Sequence, residues 1–334
     1  MRRSSRAAGP LALLTGLFAL TLTTATALAA HEPRTEPTVR VGIVLFDGVQ
    51  IIDFAAPYEV FGAAGFGVAT VSANGKPVTT AMGLRVTPDH AFADAPAFDV
   101  LVVPGGDVAQ AERDTAVLDF IRRKAAPARH VLTVCTGAAI LAATGLLDGQ
   151  RATTYFPRLH ELAERYPKVQ VIDDVRWTDN GKLITSAGLS SGMDAALHVV
   201  DRLRGEDVAR TVALRLEYDW RPGGGFVRSR MADRHLVRQW DKKIAWPADM
   251  AATELTSFGD EHRWRKRYRI VTATSPEALL GLIADGIAAV GGWTRDGEAW
   301  RWHRDGDGRP VTLTAATSAE TAGRFDLELS IDAP

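Results

Sequence analysis

Three short stretches of this chain carry residue types that do chemistry, and the first is built on its only cysteine, Cys135. Cys135 follows the apolar run Arg129 to Val134 and precedes Gly137, where a helical pattern begins. A nucleophile between a buried strand and a helix forms an elbow that pushes its side chain into a cleft. The helix N-terminus favours thiolate, so the expected thiol pKa is below the ordinary value. The plainer alternative is a buried structural cysteine, and position alone does not separate the two. The second stretch is Val103-Pro104-Gly105-Gly106, whose exposed backbone N–H groups, with that of Thr136, are candidates for an oxyanion pocket. A tight strand-to-helix turn explains the same glycines. The third is Gln50-Ile51-Ile52-Asp53-Phe54-Ala55-Ala56-Pro57, which sets a carboxylate among apolar neighbours. Burial raises the pKa of such a group, so Asp53 beside a thiol is a proton donor or relay; it is equally placed to cap a helix. Glu59 reads as structural or solvent-facing.

These loops need elements to hold them. Val39 to Phe46, Phe66 to Ser72, Phe98 to Val103, Arg129 to Val134 and Lys182 to Ser186 read as strands, most of them without polar alternation. Helical spacing separates them at Ile51 to Ala64, Thr115 to Ala126 and Gly137 to Thr144, and follows at Ser190 to Leu203 and Asp207 to Tyr218. The alternation predicts an α/β fold with a mostly parallel sheet covered on both faces, a flavodoxin-like or Rossmann-like sandwich. In such sheets ligands bind at the carboxyl ends of the strands, which selects Asp47 to Asp53, Pro104 to Asp107 and Cys135 to Gly137. Composition changes after Trp220. Residues 221–270 hold 12 Lys or Arg against 6 Asp or Glu, with Trp240, Trp246 and Trp264 interleaved. Segment 221–265 reads as a basic connector whose tryptophans pack on the main domain, in preference to a single-strand nucleic-acid surface. Residues 266–334 read as a small α+β domain: a strand at Tyr268 to Thr272, a helix from Pro276 to Ala289 behind Ser275, then strands at Gly291 to Trp293, Ala299 to Trp302, Val311 to Thr314 and Phe325 to Ile331.

Composition narrows the function classes. Lys plus Arg total 39 and Asp plus Glu 40, so no global charge draws the chain to nucleic acid or acidic lipid. One cysteine excludes an intrachain disulfide and a cysteine-based zinc cluster. Arg2, Arg3 and Arg6 precede an uncharged stretch, Leu11 to Leu28, that closes on Ala27-Leu28-Ala29. This predicts a signal peptide over 1–30, a tether over 31–38 and an exported mature chain. The membrane is then met only through the signal. Its removal deletes three arginines and no acid, taking the formal charge from −1 to −4.

The Cys loop, Val134-Cys135-Thr136-Gly137-Ala138-Ala139-Ile140-Leu141-Ala142-Ala143-Thr144-Gly145-Leu146-Leu147-Asp148-Gly149, resembles the ThiJ/PfpI superfamily, with its glutamine amidotransferase-like fold. The branch it resembles contains isonitrile hydratases and the amidotransferase-like domains of AraC-type regulators. Thr185-Ser186-Ala187-Gly188-Leu189-Ser190-Ser191-Gly192-Met193-Asp194 resembles the branch's following loop and helix. The resemblance spans about 39–220. It implies Cys135 as nucleophile, Asp53 as the paired acid, and Thr136 where protease-like relatives keep a histidine. It also implies Gly105 and Gly106 as backbone pocket, Tyr155 and Gly188 as pocket lining, a small-molecule substrate and a homodimer. No cofactor or metal is called for. One departure falls in the pocket: the branch places His-Trp after its Thr-Thr pair, whereas here Thr153-Thr154 precedes Tyr155-Phe156. The histidines read as structural: His198 in an apolar helix, His160 on an exposed one, His130 at the strand end away from the cleft. The leading expectation is a cysteine-dependent hydratase or hydrolase that converts an isonitrile to an N-substituted formamide. The competing readings are a thiol-based redox protein, an exported ligand-binding module and, against the export signal, a transcription regulator.

Overall fold

The computed structural model describes residues 39–236, 240–306, 309–321 and 323–334. The expected signal peptide and tether lie outside the described residues. The first part of the chain runs β1 (Arg40–Val44), α1 (Ile51–Ala63), β2 (Gly67–Ser72), β3 (Val78–Thr79), β4 (Arg85–Val86), β5 (His90–Ala91), β6 (Val100–Val103) and α2 (Thr115–Ala125). It continues through β7 (His130–Thr133), α3 (Gly137–Ala143), β8 (Arg151–Ala152), α4 (Leu159–Arg165), β9 (Gln170–Val171), β10 (Trp177–Asp179), β11 (Leu183–Ser186), α5 (Ser190–Arg204) and α6 (Glu206–Arg215). Then follow α7 (Val227–Arg230), β12 (Ala251–Gly259), β13 (Arg263–Val271), α8 (Pro276–Val290), β14 (Thr294–Arg295), β15 (Arg301–Gly306), β16 (Arg309–Thr321) and β17 (Arg324–Asp332).

The central sheet has the order β10-β11-β7-β6-β1-β2-β5, parallel at every pairing except the β10–β11 edge. Val41, Ile43, Leu101, Val102, Val131, Leu132 and Ile184 are wholly buried, as a sheet covered on both faces requires. Helix α2 shows how the cover is built. Asp114 caps it by accepting the Ala116 N–H at 2.8 Å. Val117, Leu118, Phe120, Ile121 and Ala125 form its buried face, and Arg122, Arg123 and Lys124 stand on the negative end of its dipole. The chain leaves β1 toward β2 on one side, and β6 returns on the other side of β1. This reversal opens a crevice at the carboxyl ends of β1 and β6. The three chemistry-bearing loops converge there.

The C-terminal part is a six-stranded antiparallel sheet, order β12-β13-β17-β16-β15-β14. Trp264 and Ile270 on β13 pair with Ile331 and Phe325 on β17, so one face carries the apolar residues at period two. Leu279, Leu280, Ile283 and Ile287 of α8 complete this second core. Ser275 caps α8 by accepting the Ala278 N–H at 3.2 Å, with Pro276 in its first turn.

Two readings of this region need correction. Segment 221–265 is not wholly a connector, because 251–259 is the edge strand β12 and β13 begins at Arg263. Trp264 belongs to the second core, not to a contact on the main domain. The basic composition misled because arginines occupy one face of β13 and the core residues the other. Gly291-Gly292-Trp293 is not a strand either: both glycines have φ near +77°, and pairing starts at Thr294.

Candidate active site

Cys135 sits between β7 and α3 with φ of +56°, a left-handed backbone held by a non-glycine residue. Such strain persists only where the surroundings over-determine it, and it concentrates at functional sites. Here the restraints are visible. The Cys135 N–H donates to the Ala187 carbonyl at 3.2 Å, and the Thr154 hydroxyl donates to the Cys135 carbonyl at 2.8 Å. A second non-glycine outlier, Leu189 at φ +54°, lies at the start of α5 in the facing loop.

The glycine loop is stitched to both neighbours. Gln50 N–H donates to the Gly105 carbonyl at 2.9 Å, and Asp107 N–H to the Gly48 carbonyl at 2.9 Å. Gly106 N–H donates to the Thr136 hydroxyl, which in turn donates to the Gly106 carbonyl, each at 2.9 Å. A Cβ on Gly105 would stand 2.6 Å from the Thr136 backbone nitrogen and 2.9 Å from Asp53 Oδ2. Only a glycine lets the three loops approach this closely. Replacing Gly105 with Ala is therefore expected to cost ~1–3 kcal/mol of stability. It is also expected to part Cys135 from Asp53 by a fraction of an ångström or more, enough to slow any reaction the pair carries out by about 100-fold. Thermal melts and steady-state rates check both.

Of the three N–H groups expected to form an oxyanion pocket, one is committed within the protein and two face the Asp53–Cys135 pair. Gly106 spends its N–H on the Thr136 hydroxyl, the Gly105 N–H faces the Asp53 carboxyl, and the Thr136 N–H faces the Cys135 sulfur. The two glycines join the loops, with the Gly106 N–H committed to Thr136 and the Gly105 N–H turned toward Asp53.

Asp53 lies in the first turn of α1 and is completely buried. It is not the helix cap, which is Gln50. The polar groups facing its carboxyl are the Cys135 thiol and the N–H groups of Gly105 and Leu189. None meets it at full hydrogen-bond geometry, so both oxygens are buried without a complete partner. Burial dominates and pushes the Asp53 pKa up to about 6.

The Cys135 thiol is also pushed up, first by burial and then by the adjacent Asp53 charge. The Thr136 N–H and hydroxyl pull the other way but do not win. This overturns the expectation of a lowered thiol pKa. Helix α3 spans only seven residues, and Cys135 is 6% exposed, so desolvation exceeds the dipole. Above pH 6 the pair is a carboxylate beside a neutral thiol. A base in contact with a protonated nucleophile removes its proton as the new bond forms.

Tyr155 is partly exposed, and its ring lies against Gly188, where a Cβ would meet Cδ2 at 2.6 Å. The three segments Thr154-Tyr155, Ala187-Gly188-Leu189 and Gly105-Gly106 thus frame the Asp53–Cys135 pair. A cavity of about 380 Å³ opens beside Thr136, lined in part by Gly106, Thr154, Arg158, Glu161 and Arg165. Its charges pair internally, Arg158 with Glu161 at 2.5 Å and Arg165 with the buried Glu112, and neither Asp53 nor Cys135 is on its wall. The histidines stand apart. His198 pairs with Asp179 at 2.8 Å, His160 with Glu164 at 3.0 Å, and His130 Nδ1 lies 3.0 Å from the Gly181 carbonyl oxygen. His198 is accordingly in contact with a carboxylate and partly exposed, not merely packed in an apolar core. Among the described residues, no group of three or more His, Cys, Asp or Glu is placed to hold a metal ion.

Sequence reasoning missed Thr154, Ala187 and Leu189. Thr154 belongs to the Thr-Thr pair that carried the resemblance, and Ala187 and Leu189 to the 185–194 stretch, but none was given a role of its own. Nothing in a leucine announces a positive φ.

Comparisons with known proteins bear on the family and the fold. The family model described as DJ-1/PfpI matches residues 39–202. The chain is 41% identical over 220 residues to the isonitrile hydratase of Pseudomonas putida, an alignment spanning 65% of this chain and 95% of the relative. It is 28% identical over 203 residues to the HTH-type transcriptional regulator GbdR of Pseudomonas aeruginosa, 58% of this chain and 55% of that protein. The crystal structure of a ThiJ/PfpI family protein from Pseudomonas syringae superposes with a TM-score of 0.50 at 31% identity, over 56% of this chain and 77% of that one. A parallel sheet with a strained cysteine elbow, a carboxylate buried against the thiol, and a relative aligned over nearly its whole length place this chain in the DJ-1/PfpI family.

Proposed function

We propose that this protein is a cysteine-dependent hydratase that converts an isonitrile to an N-substituted formamide. The observation that carries the proposal is the buried Asp53–Cys135 pair in a chain 41% identical to an isonitrile hydratase. An isonitrile carbon takes both a nucleophile and a proton at the same atom. The pair supplies both. Cys135 Sγ adds to the terminal carbon while Asp53 takes the thiol proton and delivers it to that carbon, giving a thioimidate. Water then adds across the C=N bond of the thioimidate, its oxygen to carbon and one of its protons to nitrogen. Collapse of this adduct forms the formamide carbonyl, breaks the C–S bond and passes the second water proton to sulfur. The sum is one isonitrile plus one water to one formamide, with the cysteine restored. Among the described residues, the groups that act on Cys135 are Asp53 and Thr136, and no histidine does. The raised thiol pKa and the burial of the sulfur argue against an oxidant sensor, which requires an exposed thiolate.

Export belongs to the same proposal and rests on residues 1–30 alone. N-terminal sequencing of the protein recovered outside the producing cell is expected to begin near His31; an intact Met1 in the cytoplasm overturns it. The deciding experiment on function is formamide formation from an aryl isonitrile, with and without the Cys135 thiol.

A further inference from the structure

The segment that precedes β12 contains an arginine that contacts both a strand of the C-terminal sheet and the loop after β8. Arg228 lies in α7, with its guanidinium 4.1 Å from the ring centroid of Phe156 and 4.9 Å from that of Trp264. Asp233 fixes it bidentately, Nη1 to Oδ1 at 2.7 Å and Nη2 to Oδ2 at 2.6 Å, and the Asp233 side chain is buried. Phe226 adds an edge-on contact to Phe156, centroids 6.5 Å apart at 61°. The Ala232 N–H donates to the Asp260 carbonyl at 2.8 Å, which ties the segment to the β12–β13 turn.

Phe156 is the residue next to Tyr155. The Tyr155 ring rests on Gly188, between Ala187, whose carbonyl takes the Cys135 N–H, and Leu189, whose N–H faces Asp53. On the other side Thr154 holds the Cys135 carbonyl. A chain of contacts therefore runs from Trp264, in the core of the C-terminal sheet, through Arg228 and Phe156 to the tyrosine at the rim of the candidate site.

We infer that Arg228 is a positioning residue, and that the C-terminal sheet acts through it to hold Tyr155 against Gly188 and so restricts access to Cys135. This deepens the functional reading above and rests on it for the identity of the site. A planar guanidinium lies flat between two rings and binds a carboxylate with two parallel bonds; an ammonium does neither. The pair Tyr155-Phe156 then has a physical role: Tyr155 lines the rim, and Phe156 is the handle by which it is held.

The test measures alkylation of Cys135 by iodoacetamide in the full chain, which needs no substrate. Arg228→Ala is expected to speed labelling about tenfold, the factor carried by loss of one half-buried cation–π contact. Arg228→Lys is expected to behave like Arg228→Ala, whereas a purely electrostatic role predicts wild-type behaviour. Tyr155→Ala is expected to speed labelling by itself, and adding Arg228→Ala to it to change nothing further. Phe156→Leu keeps the apolar volume and removes the aromatic face, so it covers the case in which Arg228→Ala does not fold; it too is expected to label faster. With an isonitrile, Arg228→Ala is expected to raise KM and leave kcat within about twofold. Wild-type labelling rates in folded Arg228→Ala or Phe156→Leu overturn the inference. An equal tenfold effect of Arg228→Ala in the Tyr155→Ala background overturns it as well. Formamide turnover that survives Cys135→Ala sinks the functional reading instead, and the labelling cycle still decides on Arg228.

Discussion

Cys135→Ala is expected to lower the proposed isonitrile turnover by about 10⁴-fold or more, because without the proposed covalent nucleophile only binding and residual electrostatics remain. The fold should survive. The side chain loses one buried atom, which costs about 1 kcal/mol, and alanine is no worse than cysteine at the positive φ of this position. A melting temperature lower by about 2–4 °C is the expected result. The restraints on the elbow come from the backbone of Cys135, not its sulfur: the Ala187 carbonyl and the Thr154 hydroxyl hold it regardless of the side chain. Rates and melts on the same preparation therefore separate chemistry from folding. Undiminished formamide production by Cys135→Ala would end the nucleophile assignment.

The second large effect belongs to Asp53. If the carboxylate takes the thiol proton, kcat/KM rises with pH through a limb near 6, the value to which burial pushes Asp53. Asp53→Asn is expected to remove that limb and lower the rate by about 10²–10⁴-fold, the usual worth of a positioned general base. A limb that persists in Asp53→Asn would assign it to another group.

The same substitution changes stability with a definite sign. The folded-state pKa is raised from 3.8 to about 6, so between these values the native state holds a proton that the unfolded chain has lost. Native stability from this group is thus fully present below pH 3.8 and is lost as pH rises through 6. The loss amounts to ~3 kcal/mol at most by pH 7. Asp53→Asn carries no charge to desolvate. Denaturant titrations are expected to show the variant gaining on the parent from pH 4 to pH 7. A parent that gains on the variant over that range would contradict the raised pKa. A protein that keeps a destabilising buried carboxylate beside its only thiol follows the pattern of active sites, where perturbed groups do the chemistry.

The C-terminal sheet shows why composition alone read the second half poorly. Residues 221–270 have twice as many basic as acidic residues, which suits a solvated linker. In the fold, Arg263, Arg265, Arg267 and Arg269 alternate with Trp264, Lys266, Tyr268 and Ile270 along one strand. The arginines pair in register with β17, where Arg263 meets Asp332 at 2.8 Å and Arg269 meets Asp326 at 2.5 Å. The acids that balance them lie some sixty residues away in the chain, outside any local window.

By itself the sequence determined the α/β class, the parallel sheet and the three loops at its carboxyl edge. These follow from local patterns: apolar runs that fit only doubly covered strands, helical spacing between them, and glycines where the chain must turn. It also singled out Cys135 and Asp53, because a lone thiol at a strand-to-helix turn and a carboxylate among apolar residues are anomalies in one dimension. Only the tertiary structure decided what those groups are. Desolvation depends on what is packed around an atom, and it reversed the expected direction for Cys135 while raising Asp53. The Gly106 N–H looked free in sequence and is spent on the Thr136 hydroxyl in space, while the Gly105 N–H faces the Asp53 carboxyl without completing a bond to it. The reach of Trp264 through Arg228 to Phe156 joins positions 108 residues apart, and no periodicity carries that information.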